Sequence, residues 1–82
     1  MAEKEVFSEG VKMDFRKTGK VISTRRKQMG LTQRELAGRL SISDKTISKW
    51  EVGKGMPELS LMVPLCEILG ITTDELLRGE IK

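Results

Sequence analysis

Eighty-two residues make one domain with room for one small core. The absence of histidine removes the commonest metal ligand and acid–base group, and a single cysteine rules out an internal disulfide. No apolar run is long enough to span a bilayer and no signal peptide is visible, so the expected compartment is the cytoplasm.

The net charge of +3 is unevenly spread: residues 1–15 carry −2, residues 16–54 carry eleven basic against three acidic side chains for +8, and residues 55–82 carry −3. A basic middle between acidic ends is either the footprint of a polyanion-binding face or a solvated surface of mixed sign.

Residues 1–12, MAEKEVFSEGVK, are acidic and lack sustained helical periodicity. They read as a flexible arm in front of a folded domain over 13–82. Val6, Phe7 and Val11 are the side chains able to dock on that domain, or Phe7 on a neighbouring chain. A first helix is expected to start after Asp14 as N-cap and to end near Met29, with Gly30 as its stop. Phe15, Thr18, Ile22 and Met29 form its inward stripe with Arg26 alongside, and Gly19 lets another backbone come close.

A second helix, about 32–39, opens on a capping box of Thr32 and Glu35 flanked by the hydrophobic staple Leu31–Leu36. Its Leu36, Ala37 and Leu40 face inward. Ser41 and Ile42 make a tight turn. A third helix, about 43–51, repeats the grammar with Ser43 as N-cap and Ile42–Ile47 as staple. Val52-Gly53-Lys54-Gly55 forms the exit loop, with Gly53 left-handed.

Pro64 would break a helix interior, so a fourth helix is expected to begin at about Ser60–Met62, with Pro64 in its first turn, and to end at Leu69 before Gly70. Leu61, Leu65, Ile68 and Leu69 supply core, Met56 and Leu59 pack as well, and Cys66 reads as a packed thiol rather than a reactive one. A fifth helix has a Thr72–Glu75 capping box, an Ile71–Leu76 staple and Gly79 as its stop. Leu76 and Leu77 are adjacent and cannot both face the core; the outer one, with Ile81, makes either a dimer contact or a slightly apolar surface. The fold class is all-α, a compact five-helix domain.

The third helix has two faces. Ile47, Trp50 and Glu51 fall on one, and Lys45, Ser48 and Lys49 on the other, each set at i, i+3, i+4 spacing. Helices this short are not stable alone in water, so a core must hold them and the outward row is available for another task. A row of hydrogen-bonding side chains with two ammonium groups fits the major groove of B-DNA, where base edges present donors and acceptors in a sequence-dependent pattern. Lys45 and Lys49 are candidates for guanine O6 and N7, and Thr46 for a thymine methyl or base edge. Asp44 is a candidate for cytosine N4, or else a helix-capping residue. Gln33, at the N-terminus of the second helix, can clamp a phosphate; Ser43, Ser48 and Lys54 are the other phosphate candidates.

GLTQRELA, ISKWE, Pro57 after Gly55-Met56, and LGITTDELLRGE stand in one register from about Met13 to Glu80. In that order and spacing the chain resembles the lambda-repressor-like, or Xre, helix-turn-helix family. The resemblance implies a helix-turn-helix at the second and third helices, with Ala37 small where they cross, and an at least partly buried ion pair between Arg26 and Glu51. It implies a regulator of transcription of bacterial or phage type, more often a repressor, binding double-stranded DNA as a homodimer on inverted half-sites. Two residues depart from the family pattern. Arg25 stands where related sequences carry Leu, and either reaches a phosphate or lies in solvent. Val52 replaces a polar residue and makes an apolar spot near the DNA rim. The rival reading is a protein-interaction or antitoxin-type module that binds a protein partner through the acidic arm or the fifth helix. No enzyme is expected, for there is no histidine, no Gly-rich phosphate loop and no nucleophile–base pair. No cofactor, metal or membrane partner is expected.

Overall fold

The computed structural model describes residues 14–81; the arm over 1–12, with Val6, Phe7 and Val11, lies outside them. These residues form five helices and no strand: α1 Phe15–Gln28, α2 Gln33–Leu40, α3 Asp44–Glu51, α4 Leu59–Leu69 and α5 Thr73–Arg78. Local chemistry sets most of the starts. The Asp14 carboxylate accepts from the N–H groups of Arg16 and Lys17 at 2.9 and 3.3 Å. The Thr32–Glu35 and Thr72–Glu75 capping boxes are both reciprocal, with all four bonds between 2.8 and 3.0 Å.

The helix ends share a second device. Gly30, Gly53, Gly70 and Gly79 take positive φ, and Ser41 does so after α2 at φ 57. At the end of α3 the N–H of Lys54 donates to Lys49 O at 2.9 Å and that of Gly53 to Trp50 O at 3.1 Å, the paired bonds of a Schellman motif.

Ile22, Leu36, Ile47, Leu65, Leu69 and Leu76 are fully buried, joined by Ala37, Leu40, Trp50 and Cys66. Leu31, Ile42, Leu61, Met62, Ile68 and Ile71 close the margins of this cluster. Burial pushes the Cys66 thiol above its ordinary range, as suits a packed and unreactive group. α1 packs on both α3 and α5. Against α5, the buried Thr18 hydroxyl donates to Leu76 O at 2.9 Å. Against α3, Gly19 sits so close that a Cβ there would lie 2.8 Å from Glu51 O and closer still to Trp50 O.

Four expectations need correction. Phe15 and Met29 are exposed by 43% and 46% rather than inward. Phe15 is the first residue of α1 and Met29 its C-cap, so both stand at the margin of the core rather than in it, and Val21 takes a core place instead. Leu59 is 83% exposed, because a residue two before Leu61 points to the opposite side of α4. α4 starts at Leu59, one residue early, which puts Pro64 in the second turn. The N–H groups of Leu61 and Met62 already close the first turn on Glu58 O, and the carbonyl deprived by Pro64 belongs to Ser60, a residue exposed to solvent. Finally, Arg25 does not lie free in solvent. Its Nε donates to Leu69 O at 2.9 Å, capping the C-terminus of α4, and its Nη1 donates to Gln28 Oε1 at 2.7 Å.

Candidate nucleic-acid interface

α3 is anchored by Ile47 and Trp50, which are 0% and 4% exposed. Lys45 and Lys49 are exposed, and Thr46, Ser48 and Asp44 are partly so. The outward ridge is therefore uncovered by any described part of the chain. Ser43 Oγ accepts from the Lys45 N–H at 3.1 Å and caps the helix. A hydroxyl that accepts keeps its own O–H to donate, so capping leaves Ser43 able to meet an anion. Asp44 is not the cap. It is the first helical residue, where a carboxylate is favoured by the positive end of the helix dipole.

Behind the ridge lies a buried polar clamp. Arg26 Nε donates to Glu51 Oε2 at 2.6 Å and Arg26 Nη2 to Glu51 Oε1 at 3.1 Å, with the two side chains 10% and 7% exposed. Arg26 Nη1 donates to Leu31 O at 2.8 Å, tying the clamp to the α1–α2 loop. The bond to Glu51 outweighs burial and raises the pKa of the guanidinium above its ordinary value. Gln33 joins the same carboxylate, its Nε2 donating to Glu51 Oε1 at 2.9 Å. One amide hydrogen of Gln33 is thus spent inside the protein, and the side chain is held in a fixed direction. No described buried side-chain polar atom lacks a hydrogen-bond partner.

The exit loop is fixed by α1. Gly53, at φ 79, lies against Arg16, whose Cγ would be 2.8 Å from a Cβ built there. Lys54 is exposed beyond it, and Val52 is 58% exposed. An open cleft of about 340 Å³ adjoins this loop, lined by Arg16, Lys20, Ser23, Glu51 and Val52. The sequence reading passed over Arg16, Lys20 and Ser23. Their i, i+4, i+7 spacing was the available signal, one polar stripe along α1.

No described cluster of carboxylates or thiols could hold a metal ion, and no described helix is long and apolar enough to cross a membrane.

Residues 22–76 match the family model described as helix-turn-helix, and the chain belongs to that family, in its lambda-repressor-like form. It is 46% identical over 50 residues to the HTH-type transcriptional activator BcrR of Enterococcus faecalis, a match covering 61% of this chain and 24% of that protein. It is 39% identical over 54 residues to the SPbeta prophage-derived HTH-type transcriptional regulator YonR of Bacillus subtilis, over 66% of this chain and 50% of the relative. The matched stretch thus spans between a quarter and a half of these relatives. Among solved structures it is similar to the clp gene regulator ClgR from Corynebacterium glutamicum, at 25% identity and a TM-score of 0.71, covering 83% of this chain and 87% of the other.

Proposed function

We propose that the chain is a sequence-specific double-stranded DNA-binding regulator of transcription, working in the cytoplasm and not as an enzyme. The observation that carries this is the two-faced α3, with Ile47 and Trp50 in the core and Lys45 and Lys49 exposed on a free ridge. Asp44, Lys45, Thr46 and Lys49 read base edges in the major groove. Gln33, Ser43, Ser48 and Lys54 hold backbone phosphates and set the register. Gln33 serves this role through the amide hydrogen that Glu51 leaves over.

Occupying a promoter is enough to block it, whereas activation needs a further contact with the transcription machinery; repression is therefore the reading adopted. One module covers few base pairs, so binding is as a homodimer on inverted half-sites about 34 Å apart. Exposed Leu59, Val63 and Ile81 offer apolar area for a second copy.

Selection of bound duplexes from a random pool at physiological salt tests the proposal, with the mass of the protein in solution measured alongside. A short palindromic consensus is expected. Enrichment of no sequence would overturn sequence-specific binding, and a monomer on a single half-site would overturn the dimer.

A further inference from the structure

The cleft beside the exit loop has a use that follows from its lining, and the inference rests on the DNA-binding reading above. We infer that Arg16, Lys20, Ser23 and Val52 hold one sugar–phosphate unit of the nucleic-acid backbone, so that α1 grips the duplex together with α2, α3 and the exit loop. At about 340 Å³ the cleft falls at the small end of ligand-site volumes, which run from about 300 to 1,000 Å³.

Its chemistry is that of a phosphodiester site. Arg16 and Lys20 are exposed, one helical turn apart, and neither forms an ion pair with any described residue. Ser23 brings a hydroxyl that donates to a phosphate oxygen. Glu51 also lines the cleft, but both of its oxygens are held, by Arg26 and by Gln33, so its charge is already compensated. Val52 supplies an apolar wall against which a deoxyribose packs, which gives a reason for an exposed valine at a rim where a polar residue was expected.

The position fits as well. The cleft shares Glu51 with Gln33, one phosphate candidate, and Arg16 touches Gly53, the residue before Lys54, another candidate. The competing explanation is that Arg16 and Lys20 only complement the negative end of the α3 dipole. That role would act on folding and not on the salt dependence of DNA binding.

The test uses the whole 82-residue chain, its Arg16→Gln, Lys20→Gln and Lys54→Ala variants, the selected duplex and a scrambled duplex of the same length. Affinity is read between about 50 and 200 mM salt, and thermal unfolding is recorded for each variant. Arg16→Gln and Lys20→Gln are each expected to weaken both duplexes by the same factor, about threefold to tenfold, and to reduce the slope of log K on log salt by about 0.9. Unfolding should be unchanged.

If Lys54→Ala weakens binding while Arg16→Gln and Lys20→Gln match the parent, the cleft inference fails and the DNA-binding reading stands. Lower melting temperatures with an unchanged slope would assign the two cations to the α3 terminus and overturn the inference. A parent chain that binds no duplex overturns both readings together. A titration with inorganic phosphate, followed by NMR, separates the sources of the anion. Saturable shifts at residues 16, 20 and 23, with DNA slopes unaffected by the substitutions, would make this a free-phosphate site and overturn the backbone assignment.

Discussion

The carboxylate of Glu51 is where folding and the proposed recognition meet. It satisfies Arg26 in the interior and fixes Gln33 at the surface. Removing either charged partner strands the other in a nearly dry site, so Arg26→Leu or Glu51→Leu alone should cost about 3–5 kcal/mol in urea unfolding. The double substitution should cost clearly less than the sum of the two, because no charge is left stranded; a strictly additive result would mean that water already screens the pair. Gly19 is the other residue on which the α1–α3 contact turns. A methyl group there meets the carbonyls of Trp50 and Glu51 with no flexible side chain to yield. Gly19→Ala should therefore destabilise by about 3 kcal/mol despite its better helix propensity, and an unchanged denaturation midpoint would show that α1 can lift off α3 at little cost. Since the lifted helix would carry Arg26 away from Glu51, the same variant should also loosen Gln33.

At the scale of the helices, what was legible in the sequence is what is local. The Thr32–Glu35 and Thr72–Glu75 boxes, the Asp14 and Ser43 caps and the glycine stops each involve residues within a few positions of one another, and the starts of α1, α2, α3 and α5 followed from them. The two faces of α3 were legible for the same reason, since i, i+3, i+4 spacing is a local fact. What escaped depends on distance in the chain. Arg25 finds Leu69 O across 44 positions, Gln33 finds Glu51 across 18, and the exposure of Phe15 depends on where the start of α1 lies relative to the core. The Pro64 misplacement had a related cause: steric reasoning forbade an interior proline, but the solvent exposure of Ser60 removes much of the penalty. Two predictions belong to this scale. The turn between α2 and α3 is closed by Ser41 at φ 57, a left-handed conformation that disfavours a Cβ. Ser41→Gly should raise stability by about 0.5–1 kcal/mol, the relief of strain less the chain entropy of glycine, and a fall in stability would instead assign the serine side chain a stabilising role. The α2 capping box also sets a pH dependence. The Thr32 N–H donating to Glu35, helped by the Thr32 hydroxyl, holds the Glu35 carboxyl below its ordinary 4.5. A lowered folded-state pKa means that the unfolded chain binds the proton more readily, so this contribution is complete above about pH 4.5 and fades as the pH falls toward the lower folded value. Glu35→Gln should flatten that acid limb in thermal unfolding, and an unchanged limb would assign acid sensitivity to other carboxylates.

Over the whole molecule, charge is distributed as the proposed recognition requires. The +8 of residues 16–54 belongs to the segment that contains α1, α2, α3 and the exit loop, and the acidic side chains of 55–82 fall on and around α4 and α5. A duplex bound at α3, as proposed, would meet the basic part of the chain, and the oligomeric state on DNA would then be readable from salt alone. If one copy neutralises about three phosphates, binding to a single half-site should give a log K against log salt slope of about −3, and binding of two copies to a palindrome about −5 to −6. The doubling follows from counterion release and needs no knowledge of which face joins the copies, so it remains interpretable whether the contact runs through α4 or α5. Titrating a half-site duplex and a palindromic duplex of equal length, over the same salt range, supplies both slopes. Equal slopes on the two duplexes, with a stoichiometry of one chain per palindrome, would mean that a single copy does the reading and that the base contacts of one α3 alone set the specificity.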